Sequence, residues 1–178
     1  PMSLPRELQV VRRGDAWTFA QRPAADLTML RHDTRRLPAV MLGGDDAATF
    51  ELPACACEIE VEIAHEDAGT VVLALGDGQL VLRSVGGRHY ELERSCGAVD
   101  AADFAGRWRA ARRPGGPLVR ARLIVDGCTC EIFLDDGTIT FSALVFPCEA
   151  TARLRASATG GSARVAVVVH ALRPERAP

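Results

Sequence analysis

Apolar and polar residues alternate along most of the chain, and no stretch keeps a helical period beyond a couple of turns. Alternation of this kind turns one face of a strand to a core and the other to water. It predicts strands over 6–12, 16–21, 49–64, 70–75, 79–85, 89–94, 107–112, 118–126, 129–134, 138–146, 151–157 and 164–172. Many short strands parted by turn residues fit an all-β, antiparallel, two-sheet sandwich. Two stretches lack the pattern, 32–48 with its Gly43-Gly44-Asp45-Asp46 run and 95–106, and both are expected to be surface loops.

The clearest local signal is Asp136-Gly137, a dipeptide suited to a tight hairpin turn that needs positive φ at both central positions. Pairing outward from it sets Leu134 opposite Ile139, Ile132 opposite Phe141, Cys130 opposite Ala143 and Cys128 opposite Val145, an apolar face. The reverse face mixes Thr129, Glu131, Thr140 and Ser142 with Phe133 and Leu144, and is expected to be partly solvated. In the same way Cys55, Cys57, Ile59, Val61 and Ile63 share a core face while Glu58, Glu60 and Glu62 point away.

At 178 residues, 48% hydrophobic and 25% charged, the chain has the make-up of one ordinary folded domain. Its net charge of −2 gives no long-range pull on nucleic acid, and no apolar run reaches the length of a membrane helix, so neither partner is expected. Every cation other than histidine is Arg, which points to GC-rich coding and a bacterial source.

Cys55-Ala56-Cys57 and Cys128-Thr129-Cys130 put two thiols on one strand face, a poor arrangement for tetrahedral zinc, so these cysteines and Cys96 and Cys148 are read as free thiols with no metal. Free thiols suit a reducing, cytoplasmic setting better than a secreted one. The run Arg107-Trp108-Arg109-Ala110-Ala111-Arg112-Arg113 splits its charges between two strand faces and reads as an edge strand. Trp17 and Trp108 are expected in the core or an interface, and His32-Asp33 and His65-Glu66-Asp67 on surface loops. With no nucleophile elbow, phosphate loop, zinc-protease helix or dinucleotide turn, no catalytic residue and no cofactor is expected.

Three segments in order resemble one family. Met2-Ser3-Leu4-Pro5-Arg6-Glu7-Leu8 is similar to the segment that leaves the catalytic domain of glycoside hydrolase family 32, the invertases, levanases and inulinases. Gln21-Arg22-Pro23 followed by Leu30-Arg31 resembles the next signature. Val125-Asp126-Gly127-Cys128-Thr129-Cys130-Glu131-Ile132-Phe133, then Asp136-Gly137 and Val145-Phe146-Pro147, is similar to the family's late hairpin. Gly127, Cys128 and Thr129 depart from the Arg and paired serines common there.

The resemblance implies a C-terminal sandwich of the jelly-roll, lectin-like type, following a five-bladed catalytic propeller absent from this sequence. Residues 1–8 would then be an interdomain linker running into the first strand, with 9–178 forming the single domain. Leu4, Pro5, Arg6, Glu7 and Leu8 are the expected interdomain contacts. Gln21, Pro23, Asp126, Glu131, Phe133, Asp136, Gly137, Phe146 and Pro147 are the structural motif positions. The family's Asn-Asp-Pro, Arg-Asp-Pro and Glu-Cys acid motifs are missing, so the expectation is a non-catalytic module that stabilises the propeller of a β-fructofuranosidase, with a homodimer possible. The alternative is a lectin-like module that binds fructan or a sucrose-type carbohydrate.

Overall fold

The computed structural model describes residues 4–53, 56–76, 78–95, 104–112, 118–145 and 153–173. A hairpin opens the chain, β1 (Arg6–Arg13) with β2 (Ala16–Pro23). A 3-10 turn over Ala25–Leu30 leads to β3 (Arg31–Arg36), β4 (Val40–Gly43), β5 (Ala47–Glu51) and β6 (Ala56–His65). Next come β7 (Thr70–Leu75), β8 (Leu80–Val85), β9 (His89–Arg94), β10 (Gly106–Ala111) and β11 (Leu118–Asp126). Last are β12 (Thr129–Leu134), β13 (Ile139–Leu144), β14 (Arg153–Thr159) and β15 (Ser162–Leu172).

Two antiparallel sheets form the sandwich. One runs β10-β9-β8-β7-β14-β5, the other β13-β12-β11-β6-β15-β3, with β4 also pairing to β15. Strict alternation feeds the space between them. Cys57, Ile59, Val61 and Ile63 on β6, with Val165, Val167 and Val169 on β15, face Val71 and Leu73 on β7 and Leu80, Leu82 and Leu92 on β8 and β9, all buried. Each such side chain contributes about 1.5–3 kcal/mol when taken fully out of water, which is why the period of two dictates this architecture.

The expected hairpin register is present: Leu134 pairs with Ile139, Ile132 with Phe141 and Cys130 with Ala143, and the Val145 amide donates to the Cys128 carbonyl at 2.8 Å. Asp136 and Gly137 both take positive φ, 59° and 88°, and so does Asp135 at 47°.

Three expectations need correction. Residues 32–48 are not a loop: they hold β3, β4 and the start of β5. The long β15 offers one edge to both β3 and β4, and β3 is an edge strand whose Arg-His-Asp-Thr-Arg-Arg sequence buries neither face, so no alternation marks it. The predicted strand over 49–64 is two strands in different sheets, with Pro53, unable to donate to a ladder, in the break. The reverse face of β12 is not solvated at Glu131 and Phe133, which are 3% and 4% exposed because other chain segments lie on them. Cys55, Cys96, Phe146, Pro147 and Cys148 fall outside the described residues.

Candidate functional site

The root of the β1–β2 hairpin is bolted to the outer face of the seven-stranded sheet. Arg6 ion-pairs with Glu131, donates to the Ser142 hydroxyl at 2.8 Å and to Gln21 Oε1 at 2.8 Å, and rests 5.3 Å from the centroid of the Phe133 ring. The Ser142 hydroxyl in turn donates to Glu131 at 2.7 Å. Glu131 thus has two donors for a carboxylate that burial would otherwise disfavour. Gly137 closes the seat from the other side: a Cβ there would lie 2.0 Å from the Gln21 carbonyl oxygen.

Beyond this root the hairpin leaves the sandwich. Register pairs Val10 with Phe19, Arg12 with Trp17 and Leu8 with Gln21, so Leu8, Val10, Trp17 and Phe19 share one face. They are 71%, 60%, 67% and 70% exposed, while Ala20 on the opposite face is buried. Among the described residues this is the densest cluster of large exposed apolar side chains; Met29, Met41 and Trp108 are scattered elsewhere. Neither tryptophan is in the core. Trp108 lies at the edge strand β10, flat against Gly106, with Arg94 held between it and Phe104.

The expected contact residues separate in space. Leu8 is exposed, but Arg6 is paired with Glu131 on the outer face of the seven-stranded sheet. The Pro5 carbonyl accepts from the Ala24 amide at 3.0 Å, and Glu7 accepts from the Ala25 amide at 2.9 Å, fixing where the 3-10 turn over Ala25–Leu30 begins. Leu4 is half-buried. Pro23 is buried at the root, Asp126 is exposed at the end of β11, and Asp136 sits in the turn with its carbonyl accepting from Arg22 at 3.2 Å.

Two buried polar clusters escape sequence reasoning. Arg31 donates to Glu58 at 2.7 and 2.6 Å and to Glu60 at 2.8 Å, and Arg122 also pairs with Glu58, which is 1% exposed. Burial pushes the Glu58 carboxyl up, but the two guanidiniums outweigh it and hold its pKa below the ordinary value. Arg112 is the second centre: it grips Asp135 with two bonds of 2.8 and 3.0 Å and donates to the Leu118 carbonyl at 2.7 Å, while the Tyr90 hydroxyl donates to Asp135 at 2.8 Å. This network ties the six-stranded sheet to the turn on which the hairpin sits. The Leu30-Arg31 pair was legible as a motif; its partner Glu58 read only as an outward carboxylate.

His65 lies 3.0 Å from the Ser84 hydroxyl and 3.2 Å from the Ala68 carbonyl, a base-and-hydroxyl pair, but Ser84 is 3% exposed and walled by core side chains. Asp67 accepts from the Ser162 amide and hydroxyl and serves the turn beside it. Cys57, Cys128 and Cys130 are free, and burial raises the Cys57 pKa to about 12. Among the described residues no group of His, Cys, Asp and Glu could hold a metal ion.

The family model for the C-terminal region of the glycosyl hydrolases of family 32 matches residues 30–171. The chain belongs to this family. A levanase from Bacillus sp. (strain L7) is 28% identical over 182 residues, covering 96% of this chain but 20% of that protein. The solved exo-inulinase of Aspergillus awamori superposes with a TM-score of 0.79 at 18% identity, over 96% of this chain and 35% of the enzyme. A β-fructofuranosidase from Schwanniomyces occidentalis gives 0.74 at 14% identity over 97% and 40%. This family 32 C-terminal domain therefore spans a fifth to two fifths of these relatives, and in them it is joined to a catalytic domain.

Proposed function

We propose that this chain is the non-catalytic C-terminal module of a β-fructofuranosidase-type enzyme and that it stabilises the catalytic propeller by docking through the exposed face of its first hairpin. The observation that carries this reading is the exposed cluster of Leu8, Val10, Trp17 and Phe19 on a hairpin whose root is clamped by Arg6 and Glu131. A contiguous apolar face of this kind is a contact surface for another protein body. Levanase and inulinase names among the relatives support fructan or sucrose-type substrates for the parent. In isolation the same face supports self-association of two modules. The free thiols of Cys57, Cys128 and Cys130 favour a cytoplasmic setting over a secreted one.

The test is Trp17→Ser with Phe19→Ser in the parent enzyme. Its melting temperature is expected to fall while sucrose or inulin hydrolysis persists at low temperature. An unchanged melting temperature refutes docking through this face, and release of fructose from sucrose, inulin or levan by the purified module refutes a non-catalytic role.

A further inference from the structure

The outward face of the six-stranded sheet changes character from one end to the other. Toward β10, Arg83 and Arg107 both hold Glu93, at 2.7 and 3.1 Å, and Arg109 lies beside Glu91, so the charges there are matched. Toward β5 they are not. Arg153 and Arg155 project from β14 on the side opposite the buried Leu154 and Ala156, with Glu51 across from Arg153 and only Thr49 and Ala74 across from Arg155. A depression of about 510 Å³ opens here, lined by Ala47, Thr49, Ala74, Gly78, Arg153 and Arg155. That volume falls within the roughly 300–1,000 Å³ of small-molecule sites.

We propose that this depression binds a phosphate group, as the free anion or as a monoester. Both ionised groups in the lining are guanidiniums. Its side chains are donors and, the Thr49 hydroxyl apart, offer no acceptor, so they select a ligand that only accepts. Guanidinium forks match phosphate oxygens two bonds at a time, and two single positive charges balance a dianion.

The strands set the reach. Residues two apart on a strand share a face and stand about 6.6 Å apart, so Arg153 and Arg155 close on one tetrahedral anion from adjacent positions. The short side chains of Thr49 and Ala74 flank Arg155 on the neighbouring strands and leave room for it. Gly78 keeps the rim clear: a Cβ there would meet nothing within 4 Å, and the organic part of a monoester has a way out to solvent.

The guanidiniums are available. Arg155 is exposed and has no ion pair or hydrogen bond among the described residues. Arg153 pairs with Glu51 at 3.3 Å, but both side chains are well exposed, and so weak a pair yields to a doubly charged ligand. Glu91 and Glu93 lie on β9, three strands from β14, roughly 14 Å away and beyond the screening length of about 8 Å at physiological salt.

The test is titration of the ¹⁵N-labelled 178-residue chain at constant ionic strength and about pH 8, where phosphate is doubly charged. The probes are inorganic phosphate, glycerol 3-phosphate and chloride. Saturable shifts of the Thr49 and Ala74 amides are expected with phosphate and not with chloride. Saturation at lower concentration by the ester assigns a monoester as the ligand, and by inorganic phosphate the free anion. Arg155→Gln should weaken saturation about tenfold or more, the loss of one charge-assisted hydrogen bond, and Glu51→Gln should strengthen it a few-fold by releasing Arg153, both at unchanged melting temperature. Equal shifts with chloride, saturation by neither phosphate probe, or an Arg155→Gln variant that titrates as the wild type overturns the proposal. Trp17 and Phe19 do not line the depression, so the Trp17→Ser, Phe19→Ser variant should titrate as the wild type, and this inference and the docking reading fail separately.

Discussion

Arg6 and Glu131 stand 125 positions apart in the chain and form an ion pair under the root of the first hairpin, with their side chains 17% and 4% exposed. Removing one partner leaves the other charge in a largely dry site. Glu131→Ala should cost about 3 kcal/mol of unfolding free energy, seen as a lower urea midpoint at constant slope. A double-mutant cycle with Arg6→Ala should return a coupling above about 1 kcal/mol; strict additivity would mean the pair is not a clamp.

Gly137 has no room for a side chain. At φ 88°, with the Gln21 carbonyl oxygen 2.0 Å from where a Cβ would be, an added methyl strains the turn and pushes β2 off its seat at once. Gly137→Ala should therefore lower stability by about 2 kcal/mol or more. It should also alter the fluorescence of Trp17 in the native state, and a native spectrum identical to wild type would argue against this seat.

Acid should weaken the outer face through Glu58. Its folded pKa is depressed, so its contribution is fully present above the ordinary value of 4.5 and is lost as pH falls through the lower folded value. Stability measured from pH 6 downward should decline in that window, and Glu58→Gln should flatten the decline while lowering stability at neutral pH. A variant with the same acid slope as wild type would show that other carboxylates set it.

The core thiols should be inert. Burial lifts the Cys57 pKa to about 12 and that of Cys130 still further, so neither forms a thiolate at neutral pH. Alkylation followed by peptide mapping should leave both unmodified in the folded protein and modify both after unfolding in guanidinium. Labelling of either in the native state would contradict their burial.

Local alternation was enough to assign the core. The apolar face of β6, the register of β12 against β13 and the positive φ of Asp136 and Gly137 follow from residues close together in the chain, because strand period and turn sterics act over a few bonds. β3 was not legible by the same rule, since an edge element held by the backbone of β15 needs no buried side-chain face; β4 buries Leu42 but is only four residues long, too short for its alternation to stand out.

What the outward faces do was decided by the tertiary structure alone. Glu58 and Glu62 read identically as outward carboxylates, yet Glu58 is buried beneath arginines and Glu62 lies open to solvent. Trp17 read as a core or interface residue and is 67% exposed in the chain, while Tyr90 and Arg112 reach across the fold to hold a turn. A period of two says which side chains leave a sheet on the same side. Whether that side meets water, a crossing segment or another protein depends on where distant parts of the chain come to rest.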